Sequence, residues 1–325
     1  MNIISKEELI TLNQRNEDLA LNDEQINHFL NVQHSLGNIL YFDQQGLDHF
    51  IIVQPQSLVN IVRSFITAEH IWPYDKELKG IICALTNTGQ ITQQDLFTLW
   101  SQKKFHQYMP NNDFKEFIIQ VLVHLNILVE PKYNKVQESM VQSYLVPSIV
   151  TETYVKSAHK MICLSYTFLK SSIPAALFSK LIDVAINVWP LRKKTECTSI
   201  CLHYQAAILC IDESNELHIL VEDDKVLVYL INKAAKLLIS PNIASMIQEW
   251  LTSTMKTELE SLSTSEVSKA FEIKVGEWCT SGGCCYISVP KVKEAGTWIC
   301  KNNKKHHPKF PLYWLFDKVS LTIIY

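Results

Sequence analysis

Glycine is scarce in this chain, with 8 among 325 residues. A phosphate-cradling loop needs spaced glycines followed by Lys and Ser or Thr, because backbone amides must wrap the phosphates and a lysine must reach them. None of Gly37, Gly46, Gly80, Gly89, Gly276, Gly282, Gly283 and Gly296 stands in that setting. The Asn-Lys pairs at Asn134, Asn232 and Asn303 lack the Asp two places on that would read guanine. Hydrolase, metalloprotease and kinase signatures are absent too, so no enzymatic activity is expected. No apolar run nears the ~20 residues that span a bilayer, and the charged Lys6, Glu7 and Glu8 argue against a secretory leader. A formal net charge of -3 supplies no global field for nucleic acid or an anionic membrane. Nine cysteines, an odd number, favour a reducing compartment over a disulfide scaffold. A cytoplasmic protein with no membrane contact is expected.

What the chain does have is apolar material, at 47% of residues, and clear periodicity. Ser5 with Glu8, and Asn22 with Gln25, are capping boxes for two early helices. The second carries Ile26, Phe29, Leu30 and Leu36 and stops at Gly37. Strands at 38–42 and 49–53 around a Gln44-Gln45-Gly46 turn are expected to pair as a hairpin. Pro55 then opens a helix with Leu58, Ile61, Val62 and Phe65 on one face. Further helices follow around Leu78 to Leu85, around Leu96 to Trp100, and from Asp113 to Leu125, with a short strand at Gln90 to Thr92. A hairpin of 127–129 with 144–150 completes a winged-helix pattern. A nucleic-acid reader would need cations on the exposed face of its third helix. That face offers Asp113, Lys115, Glu116, Gln120 and His124, which would repel phosphates more than grip them.

The polar stretch 151–160 marks the expected boundary between residues 1–150 and 151–325. Beyond it strands dominate: Ile162 to Phe168, then a meander at 200–204, 206–211, 216–221 and 226–231. Helices from Pro174 and Pro241 flank it, giving an α+β unit with an antiparallel sheet. A small strand, helix and strand unit closes the chain between Phe271 and Cys300.

Several stretches together resemble the COR module, which follows the Roc GTPase domain in Roco proteins. They are the leucine-bearing helix ending at Gly37, Asn38-Ile-Leu-Tyr-Phe42, Phe50-Ile-Ile-Val-Gln-Pro55, Tyr144-Leu-Val-Pro-Ser148, and the helix 173–182. The chain departs from the family at Ser57 and at Glu196-Cys-Thr-Ser-Ile200, where a Trp-Arg-x-Gly entry is usual. The resemblance implies a winged-helix-like, α-rich COR-A over 1–150 and a COR-B over 151–325. It implies a non-catalytic regulatory and dimerisation module that couples to a Roc-type GTPase domain or another signalling protein. It also implies Ile51 as a contact toward such a domain, and Phe178 and Leu181, on the Pro174 helix, as homodimer contacts. The alternatives are an orphan protein-protein interaction scaffold and, third, a winged-helix nucleic-acid binder.

Cys279, Cys284, Cys285, Cys300, His306 and His307 crowd the last unit. Thiolate and imidazole are the ligands that zinc prefers. The expected ligands of a structural zinc are Cys279, Cys300 and His306 or His307, with Cys284 as the alternative fourth ligand; the competing reading is buried thiols and loop histidines with no cofactor. Cys285 is assigned to the core-facing side of its strand.

Overall fold

A computed structural model describes residues 3–15, 19–131, 142–155, 161–169, 173–174, 177–192, 200–233, 239–262, 270–279, 283–294, 297–300, 304–307 and 311–315. The fold is α+β and divides into two compact units: 1–130 with 136–149, and 150–325 with 131–135.

The first unit begins with β1 (Ile3–Ser5), α1 (Lys6–Asn13), α2 (Asp23–Ser35), β2 (Phe50–Ile52) and α3 (Pro55–Val62). Both capping boxes form: Ser5 Oγ accepts from the Glu8 amide at 3.0 Å while Glu8 returns a bond to the Ser5 amide at 2.9 Å, and Asn22 and Gln25 do the same. Gly37 follows α2 at φ 75°, a conformation that costs glycine little. The hairpin of 38–42 with 49–53 is corrected here. β2 pairs with β1, Ile4 opposite Ile51, and the preceding segment contributes a single bridge from Leu40 to Ile52. Tyr41 and Phe42 are consecutive and both buried, so this segment does not alternate as a strand with one solvated face must. The face of α2 is also narrower than expected, with Ile26 and Leu30 buried and Phe29 and Leu36 exposed.

Next come α4 (Lys76–Thr88), β3 (Gln90–Thr92), α5 (Gln93–Trp100), α6 (Asn112–His124) and β4 (Ser143–Leu145). Gly89, at φ 69°, closes α4 in the left-handed region. β3 pairs with β4, and Val129 bridges to Leu145 on the other side of it, so three short segments line up. Six residues of α6 are buried, from Phe114 to Leu122. Trp100 is fully buried with its indole N–H donated to Ser64 Oγ at 2.9 Å, which removes the cost of an unpaired polar group.

The second unit holds β5 (Met161–Phe168), α7 (Leu177–Ile186), β6 (Leu202–His203), β7 (Ala206–Cys210), β8 (Asn215–Glu222), β9 (Lys225–Asn232), α8 (Pro241–Leu262), β10 (Phe271–Cys279), β11 (Gly283–Ser288), α9 (Val289–Glu294), β12 (Trp298–Ile299) and β13 (Lys305–His306). Seven strands form an antiparallel sheet in the order β11-β10-β5-β9-β8-β7-β6. The expected meander is its right half. β10 and β11, expected in a separate closing unit, instead extend this sheet through β5, with Phe271 opposite Phe168 and Glu277 opposite Ile162. One face, with Leu164, Tyr166 and Val228, is closed by α8, onto which the Tyr166 hydroxyl bonds at Thr252 (2.9 Å). Lys180 of α7 and Glu258 of α8 form an ion pair at 2.8 Å.

Cys163 and Cys284 on the opposite face are joined as a disulfide, a single crosslink in a chain whose cysteine count favours a reducing compartment over a disulfide scaffold. Gly276 lies between them in the sheet, paired with Cys163 on one side and Tyr286 on the other. Among the described residues, no helix is long and apolar enough to cross a membrane.

Candidate metal centre

β10 and β11 are adjacent arms of one hairpin, with Glu277 opposite Cys285 and Cys279 opposite Gly283. Side chains alternate along a strand, so Glu277, Cys279 and Cys285 share a face while Trp278, Cys284 and Tyr286 share the other. The short β12 and β13 make a second hairpin, with Trp298 opposite His306 and the Cys300 amide bonded to the Lys304 carbonyl at 3.0 Å. The two hairpins meet at four side chains. The sulfurs of Cys279, Cys285 and Cys300 and a ring nitrogen of His306 all lie within 4.8 Å of one another.

Three of the four are buried and Cys300 is half-buried. His306 Nδ1 is 2.7 Å from Glu277 Oε1, so this nitrogen carries the proton and donates it to the carboxylate. That leaves Nε2, which is buried with no nitrogen or oxygen partner, while the Cys279 and Cys300 sulfurs also bond the ring. Trp298 stacks on the imidazole at 5.2 Å between centroids and fixes the plane of the ring. Burial alone would lower the His306 pKa, but the bond to Glu277, the bonds to the Cys300 and Cys279 sulfurs and the Glu277 charge together outweigh it, and the net shift is upward. The Cys285 thiol is pushed up to about 12, by burial first and then by the neighbouring thiols of Cys300 and Cys279. Thiolates crowded in this way need a cation among them to stay ionised.

The expected ligands are therefore only partly brought together. Cys279, Cys300 and His306 converge, whereas Cys284 faces the other side of the sheet, bonded to Cys163. Cys285 occupies the place expected for Cys284, and His307 is exposed and outside the cluster. The missed signal was spacing: Cys279-x5-Cys285 and Cys300-x5-His306 repeat one interval, two ligands per hairpin. Cys284 and His307, each adjacent to a true member, obscured it.

The residues expected at interfaces sit in the cores of their own units. Ile51 packs with Ile26, Leu30 and Tyr41, and Phe178 and Leu181 are buried in α7. None offers a partner an open surface in this conformation, because residues so buried stabilise the unit they belong to.

No family model matches the chain, and no curated protein matches it. Among solved structures, a Methanosarcina barkeri Roco2 RocCORdC structure bound to GDP is similar at 18% identity over 46% of this chain and 39% of that one, with a TM-score of 0.33. A likeness of that size assigns neither fold nor function.

Proposed function

We propose that the chain is a non-catalytic, COR-type regulatory and dimerisation module that acts on a Roc-type GTPase domain or another signalling protein. The observation that carries this reading is the order of elements at the residues bearing the resemblance. A capped helix ends at Gly37, a strand at Phe50–Ile52 leads into the helix begun by Pro55, and an antiparallel sheet with flanking helices follows. The α4 to α6 helices with β3, β4 and Val129 suit the winged-helix-like COR-A. Use of that winged helix on nucleic acid is disfavoured by Lys115, whose ammonium is bonded to Phe97 O at 3.4 Å and Ser101 Oγ at 3.3 Å rather than projecting toward a phosphate. Because Phe178 and Leu181 are core residues, the dimer surface in this reading lies elsewhere on the second unit.

Light scattering across a concentration series tests the reading, with a guanine-nucleotide titration beside it. The expected result is a dimer at micromolar concentration with no heat of nucleotide binding. A monomer throughout, or saturable nucleotide binding, would overturn it.

A further inference from the structure

The geometry points to a structural zinc ion held by Cys279, Cys285, Cys300 and His306 Nε2, with Glu277 as the positioning residue for the imidazole. The inference stands apart from the module reading and rests on three observations.

The first is size. A tetrahedral ion with bonds of about 2.3 Å to sulfur sets its ligand atoms roughly 3.8 Å apart. Four donor atoms within 4.8 Å of one another are close to that arrangement, so one ion can be gripped with small side-chain adjustments. The second is the direction of His306. Its Nδ1–H is taken by Glu277 and its buried Nε2 has no nitrogen or oxygen partner, with the Cys279 and Cys300 sulfurs against the ring, which is the carboxylate–histidine arrangement that orients a metal-binding imidazole. The third is mechanical need. β12 and β13 have two residues each and α9 buries only Val292, so these elements supply little apolar surface of their own. A metal bridging the two hairpins supplies the crosslink.

Three thiolates and an imidazole select zinc over hard cations such as magnesium or calcium, which take oxygen ligands. Four protein ligands fill the tetrahedral shell and leave no position for water, so the ion crosslinks the chain and catalyses nothing. Binding converts up to three thiols to thiolates, so it releases protons to solvent.

The test uses the full chain purified without chelator, with elemental analysis and cobalt(II) substitution. One zinc per chain is expected, together with the intense visible bands of tetrahedral cobalt and thiolate-to-cobalt charge transfer. Cys285→Ser should abolish stoichiometric metal, whereas Cys284→Ser and His307→Ala should retain it. Glu277→Gln should keep the stoichiometry but weaken affinity about 10- to 100-fold. If Cys285→Ser does not fold, the wild-type cobalt spectrum still decides, since its charge-transfer intensity counts the thiolates. No zinc and no thiolate-cobalt band in the wild type would overturn the proposal. So would metal that is lost in Cys284→Ser and kept in Cys285→Ser.

Discussion

Among the described residues of the second unit, Glu216 is a heavily committed charge. Its side chain is 6% exposed and lies 3.1 Å from Arg192 Nη1, 3.3 Å from Lys233 Nζ and 3.3 Å from His218 Nε2. His218 is held from its other side by the Tyr154 hydroxyl at 2.7 Å. Burial alone would raise the carboxyl's pKa, but the His218 bond and the Arg192 and Lys233 charges bring it down to about 2 from an ordinary 4.5. Between those values the unfolded chain binds the proton and the folded chain does not, so stability is lost as pH falls through that window. The loss is on the order of 3 kcal/mol. Denaturant titrations at pH 7 and near pH 2 should show it, and Glu216→Gln, destabilising at pH 7, should flatten the acid limb. An acid limb unchanged in Glu216→Gln would place the loss at other carboxylates. Phe178 offers a second test at this scale. As a core residue it should cost about 3–5 kcal/mol when changed to Ala, seen as a lower unfolding midpoint. A contact residue would instead leave the midpoint alone and weaken only the dimer. The sequence showed that Phe178 and Leu181 are apolar and on one helical face, but periodicity is the same for a face that meets its own sheet as for one that meets a partner. The proposed metal ligands were half legible for a similar reason: residue type marked the cluster, while strand alternation, which separates Cys284 from Cys285, depended on knowing the register.

At the scale of elements, helices were the most readable because their ends are written in side chains. Ser5, Asn22 and Gly89 each do what their chemistry predicts. Strand partners were less so. β1, only Ile3–Ser5, passed unnoticed because three residues show no period, and without it the strand from Phe50 was given to the nearest neighbour in sequence. The end of β10 is hard to read from sequence because its inner part alternates weakly and Gly276 interrupts it. That glycine has a steric reason to be there. A Cβ at position 276 would run into the Cys285 carbonyl oxygen and approach its carbonyl carbon at 2.9 Å, and backbone cannot swing aside as a side chain can. Gly276→Ala is therefore expected to push β11 away from β10 and cost about 1–3 kcal/mol, as overpacked sites do. Since Cys285 moves with β11, the same change should lower zinc affinity. Thermal melts with and without chelator would show both effects, and an unaltered melting profile would mean that the β10–β11 hairpin is looser than its register indicates.

At the scale of the molecule, two compact units of unlike texture share one chain, and the second carries the only donor set among the described residues suited to a thiophilic ion. The proposed reading is of a module that works through its surfaces, with the candidate metal centre holding its own fold together. Its central claim joins two properties that one instrument reads at once: self-association, and a zinc ion in each chain. Native mass spectrometry of protein purified without chelator, at micromolar concentration, measures both. The account predicts a species of two chains carrying two zinc ions, from which acid releases metal-free chains. A single chain at every concentration would contradict the dimerising module, and a species that neither carries nor takes up zinc would contradict the metal centre.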